Sequence, residues 1–334
     1  MTGWTRILAG AAAGVLCVLA LGAQAGEVTL RASHQWPSGT GDVRDEMVQL
    51  IARQVAAAGV GLELRIYAAS SLFKPKQQWD AMVKDQLDIS AFPLDYASGR
   101  HPQFSATLMP GLVKNHEHAR RLNDSPFMAE IKRIIDDAGV MVLSDAWLAG
   151  GFAGRERCVV RPDDATGMVM RAAGPAFEQM LAAAGASINA MPSSEIYSAL
   201  QTGVLDAVNT SSGSFVSYRI YEQAKCLTPP GAYALWFMYE PILMSRQSFA
   251  RLDADQQRAL VDAGRAAEDY FFEAAKGLDT ELVETFKAHG VEVAEMGKAD
   301  FDAWLALARE SAYRHFADEV PGGAELIDKA LAVE

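Results

Sequence analysis

The sequence predicts an α/β protein built on parallel strands. Two stretches carry that reading. Between Gly167 and Asn209, short apolar runs and amphipathic runs follow one another as strand, helix, strand, helix, strand. Near the N-terminus the theme recurs as strand, helix, strand. There Val28 and Leu30, then Leu62, Leu64 and Ile66, alternate with polar neighbours. The 334 residues, half of them apolar, suffice for one large or two ordinary domains with real cores.

Taken in order, the chain opens on a positive start, Arg6 and the free amine, followed by an apolar run over residues 7–21. Ala23-Gln24-Ala25 is a small-x-small cleavage site, so residues 1–25 are expected to be a signal peptide cut after Ala25, with the remainder exported. The apolar run is too short to span a membrane comfortably. Cys17 lies inside it behind Leu16, which argues against a lipoprotein. Loss of Arg6 takes the formal charge from −12 to −13. So acidic a balance offers no footprint for nucleic acid, while one local arginine field can still dominate a cleft. Two cysteines remain, Cys158 and Cys226; an even count in an exported chain permits one disulfide, and two separate buried thiols stay the alternative.

Residues 27–33 read as the first strand. It runs into the loop His34-Gln35-Trp36-Pro37-Ser38-Gly39, where His34 can donate a bond and Trp36 can stack on a ligand or close the core. A helix over 42–58, a strand over 62–67, a loop over 68–75, a short helix over 77–86 and a strand over 87–92 follow, with Pro93 and Tyr96 just past the last. Residues 102–113 read as a loop and apolar lid, and one helix is expected from His116 to about residue 137. His116-Glu117-His118 is not a zinc site, because histidines two apart lie on different helix faces and no third ligand follows at suitable spacing. A strand over 140–143 leads to a crossing at Ser144-Asp145-Ala146-Trp147.

In the central stretch, residues 168–170 deliver Arg171 to a strand end. Gly174-Pro175 opens a helix, and Ser193-Ser194-Glu195 is suited to cap the next. Strand ends of open α/β sheets face ligand crevices. An arginine there either grips a carboxylate through two parallel bonds or sits in a surface ion pair. After Asn209 comes a polar, serine-rich loop, Thr210 to Ser214. It does not read as a nucleophile: there is no G-x-S-x-G elbow and no histidine between His118 and His289. No phosphate-cradling G-x-G-x-x-G occurs either. An aromatic run with Trp236, Phe237 and Tyr239 makes a return crossing to a strand over 242–245. A long helix over 253–289, a strand over 291–294 and a helix over 298–319 complete the reading.

The run Arg171-Ala-Ala-Gly-Pro, then L-A-A-A-G-A, then Glu195, Tyr197, Ala199, Leu200, Gln201, Gly203 and Asp206 in the pattern E-x-Y-x-A-L-Q-x-G-x-x-D, resembles the solute-binding proteins of TRAP (tripartite ATP-independent periplasmic) transporters. The likeness extends through most of the chain beyond residue 25. It implies the two-lobed periplasmic binding protein fold, each lobe a mainly parallel sheet flanked by helices, with the long helix across both. The lobes would be 26–146 plus about 237–276, and 147–236 plus about 277–334. It further implies a receptor that is no enzyme and needs no cofactor or metal. Such a receptor is a monomer that hands an organic acid to TRAP membrane permease subunits.

By the same resemblance Arg171 clamps the carboxylate and Asn209 or Thr210 reaches the ligand. Lys74, Phe92 and Tyr96 lie on the cleft wall, Trp147 lies near the cleft by the hinge, and aromatics such as Trp236 cover the ligand. Many members carry a second arginine close to the position of Gly150. Here the nearest, Arg155 and Arg157, stand further on, which points to a monocarboxylate with an apolar or hydroxylated remainder. The competing readings are a ligand-presenting subunit for a sensor kinase, with the same site and another partner, and an exported α/β hydrolase, for which no nucleophile, base and metal set is present.

Overall fold

The computed structural model describes residues 28–334 and the first two residues; the expected signal peptide and its cleavage site lie outside the described residues. In chain order the strands are β1 (Val28–Ser33), β2 (Leu62–Tyr67), β3 (Ile89–Ala91), β4 (Val140–Ser144), β5 (Trp147–Gly154), β6 (Val169–Ala172), β7 (Ser187–Ala190), β8 (Ala207–Ser211), β9 (Cys226–Thr228), β10 (Trp236–Tyr239), β11 (Ile242–Ser245) and β12 (Glu292–Val293).

They form two sheets. The first has the order β2-β1-β3-β11-β4; the second runs β12-β9-β5-β8-β6-β7, with β10 added alongside β5. Pairing of β1 with β2 and β3 is parallel, as is that of β6 with β7 and β8. One strand in each sheet reverses the direction: β11 is antiparallel to β3 and β4, and β5 to β8, β9 and β10. The chain passes from the first sheet to the second through Asp145 and Ala146, and returns through Glu240 and Pro241.

The helix Ala254–Ala288 begins at a capping box, Asp253 receiving the Asp255 and Gln256 amides while the Gln256 side chain accepts the Asp253 amide. Its buried positions recur at helical spacing. Leu260 to Leu278 pack with the first sheet and the helix Val43–Ala57, whereas Leu282 and Phe286 pack with Val208 and Leu227 of the second and with Phe215, which follows β8. The helix also grips the first crossing: Ser144 Oγ donates to the Gly264 carbonyl at 2.7 Å, and the Asp145 amide to Glu268 at 3.1 Å.

Several local expectations give way. The single helix expected from His116 is two, His116–Leu122 and Pro126–Asp137. Ser125 Oγ caps the second by accepting the Met128 amide, and Pro126 occupies a first-turn position where its missing N–H costs nothing. Ser193–Glu195 is a 3-10 turn with no side-chain cap, followed by the helix Ile196–Gln201. The serine-rich stretch is not a loop: Asn209, Thr210 and Ser211 complete β8, and Ser212–Ser217 is a helix capped by Ser211. Residues of the 3-10 segment Pro102–Leu108 from Phe104 onward are buried in the main core rather than forming a lid. The terminal helix Gly323–Leu331, buried along Leu326, Ile327 and Ala330, was not anticipated. No helix among the described residues is long and apolar enough to cross a membrane.

Candidate functional site

The two sheets meet around two buried guanidinium groups. Arg171 stands in β6 and is 1% exposed. Its Nε donates to the Met191 carbonyl at 3.0 Å, Nη1 to the Asn209 carbonyl at 2.7 Å and Nη2 to the Tyr96 hydroxyl at 3.3 Å. A guanidinium has five N–H donors. Three are used, which leaves one on each terminal nitrogen. No carboxylate lies within ion-pair distance of it among the described residues. Burial pulls its pKa below the ordinary arginine value, opposed by Tyr96, Asp95 and Glu240. A buried cation satisfied only by neutral acceptors is an expensive arrangement without an anion to complete it.

Arg44, at the start of the helix Val43–Ala57, is the counter-example, because its charge is fully matched. Its Nε and Nη2 bind Asp42 at 2.9 and 2.7 Å, and Nη1 binds Glu240 at 3.0 Å, Ser211 Oγ at 2.8 Å and Ser214 Oγ at 3.0 Å. Burial works against the charge, but Asp42 and Glu240 outweigh it and raise the pKa. The guanidinium lies 4.2 Å over the Trp36 ring. Glu240 is raised by burial and held down again by Arg44. This network ties the first sheet's opening helix to β8 and to the return crossing.

Tyr96 joins the two sides. Its hydroxyl accepts from Arg171, from the Ser193 amide at 3.0 Å and, at the 3.5 Å limit, from Gln35 Nε2. Tyr218 Oη, from the second-sheet side, donates to the Gln35 carbonyl at 2.9 Å. Phe92 packs edge-on to Tyr96 and against Trp79.

Not all of the remaining sequence candidates gather at Arg171. Asn209 is buried in β8 beside it, and both amide atoms of its side chain lack partners. Thr210 is buried in the same strand. Trp236 is buried with its indole N–H unpartnered. Its ring and the Thr210 carbonyl occupy the space over Gly150, where an added Cβ would lie 2.0 Å from that carbonyl and 2.5 Å from the ring. His34 sits with Nε2 3.0 Å from Asp45, and Trp36 lies under Arg44, so both face the opening helix. Trp147 turns its N–H to Asn123 at 2.8 Å and its ring to Tyr239. Lys74 is exposed ahead of the 3-10 turn Pro75–Gln77. Cys158 and Cys226 form a disulfide, Cα to Cα 5.0 Å.

Sequence reasoning missed Gln35, Asp42, Arg44, Ser193 and Glu240. Gln35 lay between two named residues, and the Asp42-x-Arg44 pair stood at a helix start. Nothing local, however, announces that an arginine near an N-cap will be buried.

The Albidiferax ferrireducens "Solute-binding protein" is 38% identical over 302 residues, covering 89% of each chain. The crystal structure of a TRAP periplasmic solute-binding protein from Rhodoferax ferrireducens, with bound malonate, superposes with a TM-score of 0.87. At 38% identity it covers 90% of this chain and 96% of that one. A Bordetella pertussis extracytoplasmic solute receptor binding pyroglutamic acid shares the fold, with a TM-score of 0.83 at 20% identity over 91% of this chain and 99% of that one. The family model of the bacterial extracellular solute-binding proteins, family 7 (DctP), matches residues 33–319. The chain therefore belongs to this family of TRAP solute receptors, which are binding proteins and not enzymes.

Proposed function

We propose that the protein is the periplasmic receptor of a TRAP transporter, that it encloses one organic acid between its two sheets, and that Arg171 is the carboxylate clamp. The observation that carries this is the state of Arg171: buried, unmatched by any described carboxylate, and with one N–H left on each terminal nitrogen. That pair suits the two oxygens of a carboxylate. Asn209, with its free amide, and Trp236, with its free N–H, are the further ligand contacts, alongside Tyr96 and Thr210. The lobes divide at the two crossings, near Asp145 and near Glu240, and the ligand favours the closed form by touching both. Delivery is to the TRAP membrane permease.

The ligand we favour is a monocarboxylate. Arg44 already holds two carboxylates, Asp42 and Glu240, so Arg171 is the buried guanidinium of the site left without a carboxylate partner. The space over Gly150, where the resemblance would put a second arginine, is filled by Trp236 and the Thr210 carbonyl. A compact dicarboxylate is the second reading, favoured by the malonate in the Rhodoferax structure.

A thermal-shift panel of lactate, pyroglutamate, D-galacturonate, malonate and succinate, with amines and neutral sugars as controls, tests it. Ligand at a hundred times its Kd adds about 2.7 kcal/mol, an easily read shift. Stabilisation by a monocarboxylate, lost in Arg171→Ala, is expected. Stabilisation only by malonate or succinate replaces the monocarboxylate with the dicarboxylate. Shifts with amines or neutral sugars alone overturn the clamp.

A further inference from the structure

Asp95 lies on the 3-10 turn Leu94–Ala97, beside Tyr96 and hence one residue from the group that touches Arg171. Its side chain is buried. Oδ1 accepts from Ser98 Oγ at 2.9 Å, while Oδ2 has no hydrogen-bond partner. Instead Oδ2 presses on Gly174, where an added Cβ would lie 1.4 Å from it. Gly174 is the N-cap of the helix Pro175–Ala183, so this carboxyl from the first-sheet side closes against the first helix turn of the other. Glycine is required there by contact rather than by backbone angle, since its φ of −175° is ordinary extended backbone.

Among the described residues no basic group stands within ion-pair distance of Asp95. The charged groups that face it are Glu178 on the helix Pro175–Ala183, Lys76 on the turn Pro75–Gln77, and Arg171 on β6. Glu240, after β10, also faces Arg171 but is ion-paired to Arg44. The other titratable groups on the packed segments are engaged elsewhere: His101 against Trp79 and Phe104, and Tyr239 with its hydroxyl donated to Asp145. Burial, aided by Glu178, pushes Asp95 up to about 7.

In the empty site the Arg171 field and the helix N-terminus favour the ionised carboxylate. An anion on Arg171 cancels that field and adds a negative charge nearby, in surroundings where charges interact more strongly than in water. Glu240 keeps its own partner, Arg44; Asp95 has none. We infer that Asp95 takes up a proton when a carboxylate binds Arg171, so that the receptor carries one organic anion together with one proton. This rests on the clamp reading of Arg171.

The test is calorimetric titration of the wild type and Asp95→Asn with lactate, pyroglutamate and malonate at pH 7.5, in phosphate and in Tris, whose ionisation heats differ. The expected result is uptake of up to one proton per anion by the wild type and none by Asp95→Asn. In the wild type Kd should rise above pH 7 by up to about tenfold per pH unit, the slope of one linked proton. Asp95→Asn, whose amide imitates the protonated acid, should bind more tightly than the wild type at pH 8.5, a gain that a merely structural role would not produce. Binding with no linked proton, or with uptake unchanged in Asp95→Asn, overturns the inference and leaves the clamp standing. Should the variant not fold, a pH-independent wild-type Kd between 7 and 8.5 overturns it equally. Failure of the folded wild type to bind any of the three acids overturns the clamp reading and this inference with it.

Discussion

Replacing Arg171 with alanine removes two different sets of bonds, and they separate by assay. Toward the ligand it removes the two N–H groups that the protein itself leaves unused. Hydrogen bonds to charged groups contribute about 1.5–3 kcal/mol each, so the pair represents about 3–6 kcal/mol. At about 1.4 kcal/mol per tenfold, Kd should rise by about a hundredfold to ten-thousandfold. Toward the protein it takes one donor each from the Met191 and Asn209 carbonyls and from the Tyr96 hydroxyl, which keeps the Ser193 amide, but it also removes a buried charge that no carboxylate matches. These act in opposite directions on the ligand-free fold, so the melting temperature without ligand should move far less than the affinity. Calorimetry with the best acid of the panel reads the first quantity, and a ligand-free melt reads the second. Arg171→Lys keeps the charge but not the planar fork, and should recover only part of the loss. An Arg171→Ala receptor that stays folded and binds within about threefold of the wild type, under 1 kcal/mol, would refute the clamp.

Gly150→Ala should destabilise the fold by about 3 kcal/mol, the upper end of overpacking costs, because the Thr210 carbonyl it meets at 2.0 Å is backbone and cannot turn aside; an unchanged urea midpoint would count against that packing. Replacing both Cys158 and Cys226 with serine opens a crosslink between residues 68 apart, which loop-closure entropy values at about 4 kcal/mol, read from the same denaturation curve. In the ligand-free protein the folded pKa of Asp95, about 7, lies above that of an unfolded aspartate. Between about pH 4 and 7 the folded state then holds a proton that the unfolded state has lost. Stability from this group therefore rises as pH falls through that window, by at most about 4 kcal/mol. Asp95→Asn should remove that slope and be the more stable protein at pH 8; equal stability of variant and wild type at pH 5 and pH 8 would show the carboxyl to be ordinary.

Much of the fold was legible because its signals are short-range. The Leu62–Tyr67 strand follows from alternation over six residues, and the Ala254–Ala288 helix from a long stretch unbroken by proline. The β6 to β8 run follows from glycine and proline at the turns. Misreadings arose where local signals competed. One helix is expected through Asn123 to Pro126, yet a serine cap and a proline at a first-turn position start a new one there. The serines after Asn209 looked like a loop, yet the first of them ends a buried strand between β5 and β6.

The site divides in the same way. The sequence by itself determined that an arginine ends a strand of a parallel α/β layer, that Asn209 ends a later strand of that layer, and that the chain belongs with solute receptors of this pattern. Only the tertiary structure decided that Arg171 is buried without a carboxylate while Arg44 is buried with two. Only it decided that Trp236 rather than a second charge fills the space over Gly150, and that Asp95 closes against Gly174. The reason is physical: periodicity, caps and turns act within a few residues, whereas the charge state of a buried group depends on every partner that folding brings to it. Glu240 reaches Arg44 across 196 positions and Tyr96 reaches Arg171 across 75.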